Sequence, residues 1–205
     1  MSNPASSRLA IGFGFGILSA VIWGVQSVVS RQSVTDGLSA GDVTILRFLA
    51  ASLVLLPFAI ARLKPFPVGK LGWKRALILT AIVGPSYSLI LVGGAHFAPA
   101  LHSSVISPGL IPVATALLAV FVLGDRISPL RVIGLAIIVA GIVVFSFEAM
   151  ANTPTREGAW IGDLLFVAIA LLWSTFGLLA RRWDADAVEV TMATCLLSVP
   201  LLPLL

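Results

Sequence analysis

The chain has 205 residues, of which 59% are hydrophobic and 11% charged, with a formal net charge of +4. Soluble domains carry about 25% charged residues, so this composition excludes an ordinary water-soluble fold and indicates an integral membrane protein. The basic residues fall in short pieces between apolar runs, which speaks for membrane topology and against nucleic-acid binding, and the single cysteine, Cys195, excludes an intrachain disulfide or a clustered-thiol metal site.

Seven apolar runs, near residues 9–30, 41–61, 76–94, 100–123, 129–147, 160–180 and 187–205, are each about long enough to cross a hydrocarbon core of about 30 Å as a helix. The first follows Arg8 and is too long for the apolar region of a cleaved signal, so it reads as a span. Its Gly12, Gly14 and Gly16 have no preceding strand, which argues against a nucleotide loop. Ser19, Trp23, Gln26 and Ser30 share one helical face, and the amide of Gln26 needs partners, so that face is predicted to point inward. Trp23 reads as a core residue, with stacking on an organic substrate as the second reading.

In the second run Arg47 is a cation within a span. A charge at a helix centre costs about 2.5–3.5 kcal/mol on insertion scales, so Arg47 is predicted to snorkel toward Asp42 or the headgroups, with attraction of an anionic substrate as the runner-up. The third run contains Gly84-Pro85-Ser86-Tyr87-Ser88, where Pro85 frees the carbonyl of Ala81. Tyr87, the single tyrosine, lies too deep for an interfacial belt and suits either a cavity hydrogen bond or a neighbouring carbonyl. His96 and His102 flank the loop FAPAL, and each is a source of pH sensitivity; without nearby Cys or acidic ligands they do not make a metal site.

The fourth run places Ser104, Pro108, Pro112 and Thr115 on one helical face, with Ser103 and Ser107 alongside. Pro108 and Pro112 free the carbonyls of Ser104 and Pro108, which lipid cannot satisfy. The face is therefore either a bendable cavity wall or a packing surface of small residues, and spacing alone leaves both open. These serines lack a nucleophile-elbow glycine pattern and a matched histidine on a distant helix, so no catalytic residue and no enzyme is expected.

Gly124 can end this helix, and Ser128-Pro129 can cap and start the next, giving an antiparallel hairpin. Asp125, beside Arg126 and Arg131, reads as a structural ion pair in that turn. Asp163, at the start of the sixth run, reads as stabilising a helix N-terminus.

Ten basic residues, Arg8, Arg62, Lys64, Lys70, Lys74, Arg75, Arg126, Arg131, Arg181 and Arg182, fall on one side of the seven spans, against Arg31 and Arg156 on the other. This bias predicts a multi-pass protein of the inner or plasma membrane with a cytoplasmic N-terminus. A weak repeat is also visible. AVIWGVQSVVSRQS from Ala20 aligns with ALLWSTFGLLARRW from Ala170, setting Trp23 on Trp173 and Arg31 on Arg181, and further on Ser52 and Pro57 on Ser198 and Pro203. An odd number of spans per copy inverts the second copy, the arrangement common in secondary transporters.

The run SSVISPGLIPVATALLAVFVLGDRISPLRVIGLAIIVAGIVV resembles the end of the repeat unit of the drug/metabolite transporter (DMT) superfamily, in its EamA-type members. So do ILSAVIWGVQSVVSRQ, ILRFLAASLVLL and GDLLFVAIALLWSTFGLLARR, while Asp125 stands where that family usually has Glu. The resemblance implies an all-α polytopic membrane protein built as an inverted repeat of five-helix units, complete over 1–150 and partial over 151–205. The chain ends SVPLLPLL within an apolar run, which reads as a truncated product. The implied function is a secondary transporter that exports a small organic metabolite or drug by alternating access, without a cofactor. A different class of reading is a non-transporting scaffold or remnant lacking the last three helices. Candidate cavity residues are Trp23, Gln26, Tyr87, Ser103, Ser104, Ser107, Pro108, Pro112 and Trp173, with Arg47, Asp125 and Arg126 in charge or structural roles. The expected partners are the lipid bilayer and a small-molecule metabolite or drug, with no nucleic acid; a homo-oligomer is compatible with all of this.

Overall fold

In the computed structural model, which describes residues 4–152 and 158–205, the apolar runs fold as helices. They are α1 (Pro4–Thr35), α2 (Ala40–Arg62), α3 (Trp73–Val83), α4 (Pro85–Phe97), α5 (Ala100–Leu118), α6 (Pro129–Asn152), α7 (Ala159–Arg182) and α8 (Ala187–Ser198). Six stretches, Ile11–Thr35, Ala40–Arg62, Trp73–Phe97, Leu101–Leu123, Ala159–Arg182 and Ala187–Leu204, are long and apolar enough to cross a membrane, and α6 adds an apolar stretch over Pro129–Phe145. The chain is a multi-pass membrane protein. Arg156, counted in the charge bias, lies outside the described residues.

Local chemistry sets the helix ends. Ser39 caps α2 in a capping box, its hydroxyl accepting from the Asp42 N–H while the Asp42 carboxylate accepts from the Ser39 N–H at 2.9 Å. The third run breaks at Gly84, where α4 restarts with Pro85 at its first position. Ser86 repairs the break: its Oγ donates at 2.6 Å to the Ala81 carbonyl, the acceptor that Pro85 leaves without an amide. After α5 the chain makes a π-helical turn over Ala119–Leu123 and stops at Gly124, which adopts φ 70°. The N–H groups of Gly124 and Asp125 donate to Val120 and Ala119, and Ser128 accepts from Arg131 at the start of α6. The predicted hairpin is thus present. Its predicted ion pair is not: among the described residues Asp125 has no salt-bridge partner, and Asp125, Arg126 and Arg131 are all exposed. Backbone caps already close the turn, and a solvated pair would add little.

Helix α7 runs through the middle of the bundle, packed on α5, α4 and α3, with Phe166 and Ile169 fully buried. Two serines fasten it to α5. Ser107 Oγ donates to the Phe166 carbonyl at 3.2 Å, and Ser174 Oγ donates to the Ile111 carbonyl at 3.1 Å. Where α7 crosses α4, Gly162 lies against the backbone of Gly94 and Ala98, an approach no side chain would permit. Helices α2 and α8 form a second contact, with Ser52 Oγ donating to the Cys195 carbonyl at 2.9 Å above the buried Ala59, Leu63 and Met192. Helix α1 touches α2, α4 and α5, and large apolar side chains such as Phe13, Phe15 and Val28 stay exposed along it, as a lipid solvent allows.

The connection from α2 to α3 is not a slack loop. Val68 and Leu71 are buried against Ala76, Leu79, Val190 and Ala193, and the Lys70 N–H donates to Glu189 Oε2 at 3.1 Å. Gly69, at φ 58°, sits directly beneath that carboxylate. Glu189→Ala is expected to cost about 1 kcal/mol and to expose the connection. Limited trypsin digestion at Lys70 reads this as faster cleavage than in the parent protein; an unchanged rate would mean the apolar anchors hold the segment alone.

Candidate functional site

A cavity of about 250 Å³ opens between four helices. Helix α1 contributes Ala20, Trp23, Gly24 and Gln26; α4 contributes Tyr87 and Leu91; α5 contributes Ser103, Ser104, Ser107 and Pro108; and α7 contributes Ile169. The space exists because the facing positions are small: Ala20 and Gly24 on α1 stand opposite hydroxyl residues and a proline on α5. Its chemistry is that of a small-molecule site, apolar walls with a few polar groups. A second space, a groove of about 510 Å³, lies on the other side of Gln26 and Tyr87, and both residues line the two spaces. The groove is walled by Val25 and Val29 of α1, Arg47 and Phe48 of α2, Ser88 of α4 and Cys195 of α8.

An aromatic cluster closes the cavity. The rings of Trp23 and Trp173 are 5.5 Å apart and tilted at 58°, and Tyr87 stands 5.7 Å from Trp173. The two tryptophans touch each other, so there is no slot for a substrate between them. Trp23 retains 38% exposure and presents its ring to the cavity, while Trp173 supports it from behind beside Phe176. Among the described residues the Tyr87 hydroxyl has no hydrogen-bond partner, and it borders both spaces.

Several residues sit differently from their expected places. Arg47 does not reach Asp42, whose carboxylate is consumed by the Ser39 cap. Its Nη2 donates instead to Ser30 Oγ at 3.1 Å, across to α1, and the Ser30 hydroxyl in turn donates to the Gln26 carbonyl at 2.8 Å. Asp163 does not cap α7, which starts after Gly158 in the left-handed conformation. It accepts at 2.8 Å from Nδ1 of His102 on α5, whose ring also meets Phe145 of α6 edge-on. Pro112 is exposed and does not line the cavity, so the predicted α5 face divides: Ser103, Ser104, Ser107 and Pro108 line the cavity, Ser103 and Ser107 as buried residues, and Pro112 turns away. On α1 the predicted face holds for Trp23, Gln26 and Ser30, but Ser19 is exposed. Asp125 and Arg126 remain in the hairpin turn, apart from the site.

Ala20, Gly24, Leu91 and Ile169 complete the lining without having stood out in the sequence. For Ala20 a signal existed, since it lies three residues before Trp23 on the same helical face, and Gly24 follows Ala20 at the i+4 spacing. Leu91 and Ile169 have none, being apolar residues in apolar helices. No cluster of three or more His, Cys, Asp or Glu side chains that could hold a metal occurs among the described residues.

Membrane-crossing helices gathered around a cavity of this lining define a polytopic membrane protein. The chain belongs to the EamA-like transporter family, which matches residues 10–147. It is similar to the uncharacterized inner membrane transporter YhbE of Escherichia coli K12, at 24% identity over 204 residues, covering 96% of this chain and 63% of that protein. It also resembles the chloroplastic WAT1-related protein At3g02690 of Arabidopsis thaliana, at 24% identity over 84% of this chain and 41% of that protein. The uncharacterized transporter YetK of Bacillus subtilis is 25% identical over 73% of this chain and 45% of its own length. The chain therefore spans about two-fifths to two-thirds of the length of these relatives. No solved structure matches it.

Proposed function

We propose that the protein acts as a secondary carrier, moving a small organic metabolite outward by alternating access. The observation that carries this reading is the cavity between α1, α4, α5 and α7, among helices of membrane-crossing length, lined by Trp23, Gln26, Tyr87, Ser104 and Pro108. Irregular or polar backbone is tolerated in the hydrocarbon region where it is buried in protein or lines such a space. The lysine and arginine bias supports a cytoplasmic N-terminus. An inverted relation between 1–150 and 151–205 is supported by the repeat mates themselves: Trp23 and Trp173 are in ring contact, and α2 packs on α8, its counterpart in the second copy. Contacts between equivalent elements are compatible with a two-fold axis passing between the copies.

Pro108 is the residue through which the α5 wall would bend, because its ring removes one rung of the helix at the cavity edge. Pro108→Ala is expected to slow transport of a candidate metabolite into reconstituted vesicles more than it lowers folded yield. Equal loss of both would assign Pro108 to packing. Failure of the parent protein to move any metabolite from a panel of amino acids, nucleosides and drugs would remove the carrier reading for this chain.

A further inference from the structure

We propose that the groove beside Arg47 receives the oxyanion of the transported molecule, so that the substrate is an organic anion with a flat apolar body. This rests on the carrier reading above and adds the substrate's charge. Arg47 is half-buried within the apolar stretch of α2, seven positions beyond Ala40, and its guanidinium has a single hydroxyl, Ser30 Oγ, as its hydrogen-bond partner among the described residues. A guanidinium carries five donors in a planar fork shaped for two oxygens of one anion. The carboxylates at this end of the bundle are committed elsewhere: Asp36 accepts from Gln32, Asp42 is held by Ser39, and Asp163 is paired with His102. The nearby cation Arg31 donates to the Ala95 carbonyl and does not line the groove. An intramembrane cation without a counter-charge, facing an open space, marks the place where a negative group is missing.

The surroundings fit that group and its carrier molecule. Tyr87 and Ser88 bring hydroxyls to the same groove as Arg47, and Gln26 brings an amide. Tyr87 and Gln26 also form the boundary with the apolar cavity, where the Trp23 ring provides a flat surface. One molecule spanning that boundary would place an oxyanion against Arg47 and an aromatic or similar body against Trp23. The groove is also walled by Val25, Val29 and Phe48, so a lipid phosphate offers the same chemistry, and the test must separate the two sources.

The purified full chain, in nanodiscs of zwitterionic lipid, should bind 3-phenylpropionate about tenfold more tightly than its neutral amide by calorimetry, the gain of a charge-assisted pair. Arg47→Gln should bring the two affinities within about twofold of each other, and Arg47→Lys should keep part of the preference. Equal affinities in the parent protein, or a preference that survives Arg47→Gln, would overturn the inference and leave the carrier reading standing. If Arg47→Gln does not fold, the parent ratio and Arg47→Lys decide: a parent ratio near one overturns the proposal. Binding of neither compound would remove the cavity reading and the inference together. In nanodiscs containing anionic phosphatidylglycerol the preference should persist; its loss there would assign the groove to a lipid headgroup and overturn the proposal.

Discussion

Gly162→Leu is expected to abolish folding. A Cβ at position 162 would stand 2.6 Å from the Ala98 Cβ, 2.8 Å from the Gly94 carbonyl oxygen and 2.9 Å from the Ala98 nitrogen. Backbone atoms held in a helix cannot step aside as a flexible side chain would. The opposing glycine is equally confined, since a Cβ on Gly94 would lie 2.6 Å from the ring of Phe166, which is fully buried. Overpacking by even a methyl costs about 1–3 kcal/mol, and leucine adds a branched side chain at a crossing where the backbones already touch. Because α7 also carries the α5 contact through Ser107 and Ser174, its displacement would take the cavity with it. Gly177, on the same helix, is exposed with nothing within 4 Å of its would-be Cβ, so Gly177→Leu serves as the control. Size-exclusion profiles in mild detergent should show a monodisperse peak for the control and aggregate for Gly162→Leu. A normal peak for both would mean that α4 and α7 do not cross at these residues.

Trp23→Ala should lower ligand affinity more than it lowers folded yield. Helix α1 is exposed along most of its length and meets the rest of the molecule through the Trp23–Trp173 contact, the Ser30–Arg47 hydrogen bond and the bond from Arg31 to the Ala95 carbonyl. Trp23 is therefore both a wall of the cavity and one of the ties that hold that wall in place. Removing the indole withdraws apolar contact worth about 2 kcal/mol or more, which corresponds to a loss of at least about tenfold in affinity for neutral 3-phenylpropionamide. Trp23→Phe should recover part of it, since a smaller ring still presents a flat face. Unchanged affinity in Trp23→Ala would place the ligand outside this cavity.

Hydropathy made the spans legible because each helix must offer lipid a long apolar surface, and that demand is written residue by residue. The carbonyl freed at Ala81 and the hairpin at Gly124 were legible for a different reason: proline and glycine act on their own backbone, so Pro85 removes a donor and Gly124 turns left-handed whatever surrounds them. The ties between helices were not. Arg47 and Ser30 lie 17 residues apart, and His102 and Asp163 lie 61 apart, so each pairing depends on which helices are neighbours and how each is rotated. In helices apolar on nearly every side, sequence periodicity carries little of that information. The nearest carboxylate in sequence misled in the case of Arg47, because a capping serine had a stronger local claim on Asp42. The division of the α5 face had the same origin: Ser107 could be placed against α7, and Ser104 against the cavity, only once α7 was known to run between α4 and α5.

A solvent-accessible cavity within the membrane-crossing bundle should expose Ser104 to water. With Cys195 replaced by serine, Ser104→Cys tests it through labelling by a membrane-impermeant thiol reagent in vesicles made permeable to reach both faces. Leu117→Cys, on the exposed apolar surface of the same helix, is the reference. Cysteine at 104 should react at least about tenfold faster than cysteine at 117, and 3-phenylpropionate should slow it. Equal, slow labelling at both positions would contradict the account, because it would leave α5 packed in lipid and protein with no water-filled space for a substrate to enter.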